Sequence, residues 1–336
     1  MSARTLRRGF TSLLCGACIC VLIVESLGRL LHWRQPYSSL FEHDAQTGLT
    51  TPKGKTVRVQ SGGDTYTVQF DADGYIDRTG QEASIVVVGD GAVAGTELQP
   101  HERLAHLLAS KESVDGVNLS VTGHGTLQQV QSLETYLARV GRKPMTIIWV
   151  FNLSNDLIDN VCDWDGTGGP CAWLTKPKDI QPPHLPSLGY RILRTLYLNS
   201  YFSQEMLSLT GLHRSPAEMT AFIPCITTDE GDCKQSMEIC AEAFSRLQDI
   251  VERHKLRVVG ILWDDIDIAP YPEQAVADLS KKIVGLAPFV EWTGRTEFAS
   301  DRQDWAKDWL AVGTRHANAR ATRWMAERLQ VLLRNN

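Results

Sequence analysis

The body of the chain lacks any run of lysine or arginine, and its formal net charge at pH 7 is only -5. Proteins that bind nucleic acids concentrate basic residues on one surface, so we expect no nucleic acid partner. The sequence also lacks internal repeats and low-complexity tracts, which excludes architectures built from repeated units. A metal site made of Asp90, His124 and His316 would match no recognised ligand spacing. We therefore expect neither a metal nor another cofactor.

What is present is ordinary for a globular protein. The chain has 336 residues, of which 43% are hydrophobic and 22% are charged. A chain of this length and composition can bury a large core. It predicts one large domain with appendages.

The N-terminus departs from this pattern. Arg4, Arg7 and Arg8 precede an uncharged run over residues 10–24, which Glu25 and Arg29 follow. A helix over residues 10–31 would be about 33 Å long, enough to cross the hydrocarbon layer. We predict that residues 1–32 form an uncleaved single-pass anchor, with a cytoplasmic N-terminus and the bulk exported to the periplasm or beyond. A cleaved signal peptide is the second interpretation and a lipoprotein signal at Cys18 the third; all three export the chain.

Cysteine usage agrees with export. Five cysteines lie outside the predicted anchor, and disulfides form in oxidising compartments. The pairs Cys162/Cys171 and Cys225/Cys233 would each close a small loop. Cys240 is then left over, either as a buried core thiol or as an alternative partner of Cys233.

Residues 33–80 predict a small β-rich segment, which we call the lead-in. Residues 57–60 and 66–70 alternate apolar and polar side chains, and a glycine-containing turn over residues 61–64 separates them. This pattern is typical of a β-hairpin.

From residue 81 to residue 336 the sequence predicts one domain in which apolar strands alternate with helices. Strands are predicted at residues 85–88, 117–121, 146–151 and 257–262. Helices are predicted at about residues 101–111, 127–137, 237–254 and 318–333. This alternation indicates an α/β fold with a central parallel sheet covered on both faces. In such sheets the functional site lies in the loops that follow the carboxyl ends of the strands.

Residues 161–232 interrupt the alternation. They contain several prolines, a glycine-rich stretch and most of the cysteines that could form disulfides. We interpret this segment as an insertion next to the site, which serves as a lid or a contact surface.

Four blocks follow the predicted strands or precede the last helix, and together they carry a resemblance. They are residues 89–95 with Asp90-Gly91, residues 118–125 with Gly123-His124, residues 154–160 with Asn155, and residues 316–327 with His316. In order and spacing they resemble the SGNH, or GDSL, hydrolase family. The resemblance covers about residues 83–333 and implies a flavodoxin-like three-layer α/β/α fold. The anchor and the lead-in also resemble exported bacterial members of that family.

The resemblance also implies roles for individual residues. Family members cleave esters of lipids and acetylated sugars with a serine from the first block, and a histidine from the last block is the base. His316 matches the base, and Gly123 and Asn155 match two of the three oxyanion donors. The serine position is Gly91, and the positions of the acid that orients the base are Gly313 and Thr314. Both the nucleophile and this acid are therefore expected to be missing.

Two functional hypotheses follow from these losses. The first is an anchored, exported SGNH-like protein without serine-dependent esterase activity, which binds an acylated glycan or lipid or serves as a subunit of an envelope assembly. The second is an active ester hydrolase or O-acyltransferase with a non-standard nucleophile or substrate assistance. A purely structural interaction protein is a third possibility. Four hydroxyl side chains could replace the missing serine, but none has the exposed turn geometry of a nucleophile. They belong to Thr96, Ser120, Thr122 and Ser154.

Several of these residues also have simple structural interpretations. Asp90 is better explained as a loop residue that accepts backbone hydrogen bonds than as a functional acid. Asn155 and Asp156 are good caps for the helix that follows them. His316 is a helix-start residue if Asn318 is the cap, and His124 is expected to line the pocket. Four tryptophans could stack on sugar rings, but packing in the core or lid is the better explanation for them. They are Trp164, Trp173, Trp305 and Trp309.

Overall fold

The computed structural model divides the chain into two compact units, residues 1–39 with 187–219 and residues 40–186 with 220–336. The second unit contains the sheet and the candidate site. The residues that the structure describes are 16, 18–27, 40–44, 47–61, 64–76, 78, 83–140, 144, 146–153, 155–161, 173–176, 179–181, 232–263, 273–293 and 316–334.

A five-stranded parallel sheet forms the centre of the second unit. In chain order its strands are β5 (Ile85–Val88), β6 (Gly116–Asn118), β7 (Thr146–Asn152), β10 (Arg257–Trp263) and β11 (Glu291–Thr293). Their spatial order is β6-β5-β7-β10-β11, and every neighbouring pair is parallel. Numbered within the sheet, this order is 2-1-3-4-5, which is that of flavodoxin-like folds. The prediction of a central parallel sheet is confirmed.

Helices cover both faces of this sheet. They are α1 (Gly91–Ala94), α2 (Leu104–Glu112), α3 (Thr126–Arg139), α4 (Asn155–Val161), α5 (Asp232–His254), α6 (Glu273–Leu286) and α7 (Ala319–Arg334). Alternate strand residues point to opposite faces. Val86, Ile147 and Val258 belong to a core shared with α3, α5 and α6. Val87, Ile148 and Val259 belong to a second core shared with α2 and α7.

Two predicted elements differ in length from those observed. Strand β6 ends at Asn118, earlier than expected, because the Asn118 carbonyl oxygen Oδ1 accepts the Ser120 N–H at 2.9 Å and turns the chain. The helix predicted at residues 101–111 is a 3₁₀ turn at Pro100–Glu102 followed by α2. The two are separate because the backbone of Arg103 is extended (φ -77°, ψ 147°).

The lead-in consists of two antiparallel hairpins. Strand β1 (Glu42–Asp44) pairs with β2 (Gly48–Thr50), and β3 (Thr56–Ser61) pairs with β4 (Asp64–Gln69). The second hairpin confirms the prediction from alternating residues. An isolated antiparallel bridge from Ile76 to Asn118 joins the lead-in to the edge strand β6.

Only a hairpin of the predicted insertion is described. Its strands are β8 (Trp173–Lys176) and β9 (Asp179–Gln181), which pair antiparallel. The rest of the segment over residues 162–231 lies outside the described residues, and so do Trp164, Trp305 and Trp309. A role as lid or contact surface stays a prediction.

In the first unit, residues 18–27 are helical, and the side chains of Ile19, Leu22 and Ile23 are exposed. Within the described part of the chain, no helix has both the length and the apolar content needed to span a membrane. Most of residues 1–39 lie outside that part, so the anchor stays a prediction.

Cys240 is a free, fully buried thiol, as the core interpretation predicts. Burial raises its pKa to about 12, and the thiol lies 3.1 Å from Asn160 Nδ2. A free Cys240 excludes the alternative pairing with Cys233. Cys162, Cys171 and Cys225 lie outside the described residues, so the other two pairs stay predictions.

Candidate functional site

The first block begins where β5 ends. Asp90 immediately precedes the short helix α1, and its Oδ1 atom accepts the N–H of Ala92 at 2.9 Å. The carboxyl is 1% exposed. Asp90 is therefore the N-cap of α1, in agreement with its interpretation as a loop residue that binds backbone N–H groups. The cap fixes Gly91 as the first residue of the helix.

The structure brings Gly91 and His316 together, although they are 225 positions apart in the sequence. A Cβ atom built on Gly91 would lie 2.3 Å from His316 Nε2, 2.9 Å from His316 Cδ2 and 3.0 Å from Thr122 Cγ2. The N–H of Ala317 donates to the carbonyl of Ala92 at 3.2 Å and holds the last block against α1. The first and last blocks thus form one site, in which the imidazole fills the space of a side chain at position 91.

His316 has a carboxylate partner that the sequence did not reveal. Its Nδ1 atom lies 2.9 Å from Glu97 Oε1 and 3.0 Å from Glu97 Oε2. The side chain of Glu97 is 1% exposed and that of His316 is 14% exposed. Glu97 therefore supplies a carboxylate beside His316, although the sequence has no acid at positions 313 and 314. Gly313 and Thr314 lie outside the described residues.

The charge of this pair follows from its surroundings. Burial by itself raises the pKa of the Glu97 carboxyl, but the charge of His316 and its hydrogen bond act in the opposite direction. Thr96 adds a hydrogen bond from its hydroxyl to Glu97 Oε2 at 2.8 Å. The net result is a pKa of Glu97 below its ordinary value, so the carboxylate is ionised near neutral pH.

A buried arginine shapes the loop that carries Glu97. Arg103 Nε donates to the carbonyls of Gly95 at 2.9 Å and Leu98 at 3.2 Å. Gly95 has a positive φ of 69°, and a Cβ atom there would lie 2.9 Å from Arg103 Cγ. Glycine is required at this position by both the backbone conformation and the close packing. The loop therefore turns Glu97 back toward His316.

The second block lies beside Gly91 through Thr122. The Asn118 side chain donates from Nδ2 to the carbonyl of Val93 at 2.8 Å, which ties this block to α1. Gly123 follows with a positive φ of 81° in a turn. His124 is 1% exposed, and its carbonyl accepts Gln129 Nε2 at 3.0 Å. Gly123 and His124 thus lie next to the site in the chain, while their roles as oxyanion donor and pocket residue stay proposals.

In the third block, Asn155 is the first residue of α4, so its interpretation as the residue that caps this helix stays a prediction. The side chain of Asn155 lies outside the described residues, as does Ser154. Asp156 is fully buried, and its carboxyl accepts the N–H of Asn152 at 3.0 Å and Gln129 Nε2 at 2.8 Å. These bonds tie the end of β7 to the start of α4.

Asp156 differs from Glu97 in its electrostatics. Burial, followed by the charges of Asp90 and Asp159, raises the pKa of Asp156 well above its ordinary value. Within the described part of the chain, no group of three or more histidine, cysteine, aspartate or glutamate side chains could hold a metal ion. Asp156 bonds the Asn152 N–H and the side chain of Gln129, whereas Glu97 contacts His316.

The last block is placed by its helix cap. Asn318 Oδ1 accepts the N–H groups of Arg320 at 2.9 Å and Ala321 at 3.0 Å, which confirms Asn318 as the cap of α7. His316 lies two residues before this cap, outside the helix. Its imidazole is therefore positioned by the start of α7 and by Glu97.

Glu97 was not predicted, because the resemblance places the orienting acid two or three positions before the histidine in the sequence. The available signal was its position shortly after the first block, at the edge of the sheet where functional loops collect. A single glutamate in a loop is too common a feature to have been selected on that ground.

Neither a family model nor a curated protein matches the chain. Similar solved structures include AlinE4, described as an SGNH-hydrolase family esterase, with 15% sequence identity and a TM-score of 0.33. The match covers 76% of this chain and 96% of that chain. Two mutants of the same esterase match at 14% identity and a TM-score of 0.34, with the same coverage. The interpretation of the site rests on the geometry of the chain itself.

Proposed function

We propose that this chain is an SGNH-hydrolase-like protein that lacks serine-dependent ester hydrolysis and binds an acylated glycan or lipid. The four sequence blocks and the 2-1-3-4-5 sheet support the relationship. We further propose that an N-terminal anchor holds the protein in the membrane with its bulk exported. In that location it would bind its ligand alone or together with envelope protein partners.

The observation that carries this proposal is the packing of His316 on Gly91. A side chain at position 91 would overlap the imidazole, since its Cβ atom would lie 2.3 Å from Nε2. The site therefore has room only for glycine at position 91. Glycine has no side-chain oxygen that could act as the nucleophile. Loss of the nucleophile in a serine hydrolase reduces kcat by about a million-fold.

A second candidate function is supported by the Glu97–His316 pair. A buried carboxylate that orients a histidine is a recurring feature of sites in which the histidine is a general base. Here a water molecule or a ligand hydroxyl would attack the acyl carbon while His316 takes its proton. The same proton would then pass to the departing alkoxide, so that the acyl group moves to water or to the ligand. This is hydrolysis or O-acyl transfer without a covalent enzyme intermediate.

One experiment separates the two functions. The full-length chain and its His316→Ala variant are assayed with p-nitrophenyl acetate, and binding of acetylated chitotriose and of a short-chain phosphatidylcholine is measured by calorimetry. The first function predicts equal rates of hydrolysis in both proteins, with ligand binding that weakens in the variant. A rate that disappears in the variant would establish the second function instead.

A positioning variant then tests the second function. Glu97→Gln keeps the size of the side chain but removes the charge that faces His316. If His316 acts as a base, this variant should lower the rate and move the pH profile of the reaction. If it lowers stability and leaves the pH profile unchanged, Glu97 has only a structural role.

A further inference from the structure

A second feature of the same unit lies between the lead-in and the edge strand β6. It is a cavity of about 310 Å³, within the range of about 300–1,000 Å³ of small-molecule sites. Thr51 and Lys53 line it from the lead-in, and Ser120, Thr135 and Arg139 line it from the α/β body. We call it the lead-in cavity. It has no role in the Gly91–His316 site described above.

Ser120 is the first indication that this cavity binds a ligand. Its side chain is 2% exposed, and its hydroxyl has no hydrogen-bond partner within the described part of the chain. Buried hydroxyls are normally paired, because an unpaired one retains the full cost of losing water. A polar ligand in the cavity would satisfy this hydroxyl. Ser132 and Thr135 add further hydroxyl groups to the wall.

The charges of the wall indicate which polar ligand fits. Two of its three carboxylates already have cationic partners, Glu42 with Lys55 and Asp73 with Arg78. Asp44 accepts the N–H and the hydroxyl of Thr47.

The wall of the cavity also contains two cationic side chains. Lys53 and Arg139 line the wall, both are exposed, and neither forms an ion pair with another residue in the described part of the chain. Hydroxyl groups combined with two cations match a ligand that carries both hydroxyls and a carboxylate.

We propose that the lead-in cavity binds an anionic sugar, with its hydroxyls on Ser120, Ser132 and Thr135 and its carboxylate between Lys53 and Arg139. Residues 119–121 line the cavity, and the next residue, Thr122, contacts the Gly91–His316 site. A sugar in the cavity would therefore lie one loop away from that site. The inference stands without the proposed function, because it uses none of the residues of the His316 site.

The test measures binding of trigalacturonate to the full-length chain by calorimetry, with maltotriose as the uncharged sugar and inorganic phosphate as the anion without a sugar. We expect binding of trigalacturonate and little binding of the other two. The double variant Lys53→Gln/Arg139→Gln should weaken that binding by about tenfold or more. Lys234→Gln/Arg253→Gln is the matched control, since both residues are exposed, lie on α5 and line no part of the cavity.

Ser120→Ala separates a binding role from a structural one. Because the hydroxyl is unpaired in the free protein, its removal should leave Tm unchanged or higher while it weakens trigalacturonate binding. A lower Tm with unchanged binding would overturn the role of Ser120. Absence of trigalacturonate binding at millimolar concentration, or equal binding of maltotriose or phosphate, would overturn the proposal. Either result leaves the His316 assays unaffected, so the two failures can be told apart.

Discussion

Glu97, in the loop after α1, and Asp156, in the first turn of α4, are both buried carboxyl groups, yet their pKa values move in opposite directions. Glu97 faces His316, which lowers its pKa despite burial. Asp156 faces neutral donors and two other carboxyl groups, so burial and repulsion both raise its pKa. The comparison teaches that burial alone does not decide the charge of a carboxyl group. The partners decide it, since Glu97 faces the imidazole of His316 whereas Asp156 faces neutral donors and other carboxyl groups.

The largest expected effect comes from replacing each carboxyl by its amide. Glu97→Gln removes a buried charge that His316 and Thr96 satisfy, so we expect the free energy of unfolding to fall by about 2 kcal/mol at pH 7. Asp156→Asn replaces a carboxyl whose raised pKa favours its neutral form, so we expect a smaller change, below about 1 kcal/mol. Urea denaturation measures both values. Equal losses in the two variants would contradict the comparison.

The next effect concerns the space that His316 occupies. Gly91→Ala should lower the free energy of unfolding by about 2 kcal/mol, because the new Cβ atom displaces the imidazole from Glu97. Gly285→Ala is the matched control, since Gly285 lies in α6 with no atom within 4 Å of a Cβ there. That variant should gain up to about 1 kcal/mol from helix propensity. Thermal unfolding of both variants checks the difference; a neutral Gly91→Ala would show that the ring moves freely.

The dependence on pH should have opposite signs for the two carboxyls. Glu97 has a lowered pKa in the folded state, so its contribution is present above the ordinary glutamate value and is lost as the pH falls through the folded value. Asp156 has a raised pKa, so stability falls as the pH rises from the ordinary aspartate value toward the folded one. Denaturation of the wild type and both amide variants between acidic and neutral pH measures this. Glu97→Gln should approach the wild type toward acid, and Asp156→Asn should gain on it as the pH rises.

The smallest expected effect tests the cause of the raised pKa of Asp156. Asp90→Asn preserves a good helix cap but removes the neighbouring charge that is the second cause of the raised pKa. The pKa of Asp156 should fall toward its ordinary value, and the loss of stability with rising pH should become weaker. The pH dependence of unfolding in this variant is the measurement. An unchanged profile would mean that burial alone sets the pKa of Asp156.

Much of the fold could be predicted from local patterns. The run at Ile85–Val88, the alternating hairpin residues and the amphipathic pattern of α7 all lie where the sequence placed them. Strand β11 and helix α6 were not predicted: the strand has only three residues, too few to show a period. The site was predictable to the extent that its residues follow strands. Asp90 and Gly91 were selected because they follow a strand, and His316 because it precedes the last helix in a block that resembles the family; the structure places Gly91 and His316 in contact.

By itself, the sequence determined the alternation of strands and helices, the glycine at position 91 after a strand and the position of the histidine before the last helix. These are local features, because they depend on the spacing of apolar residues and on the identity of single residues. Only the tertiary structure decided that Glu97 orients His316, because these residues are 219 positions apart and meet through the packing of two loops. It also decided that the imidazole of His316 fills the space above Gly91. The distance between these two residues depends on how α1 and α7 pack against the same sheet.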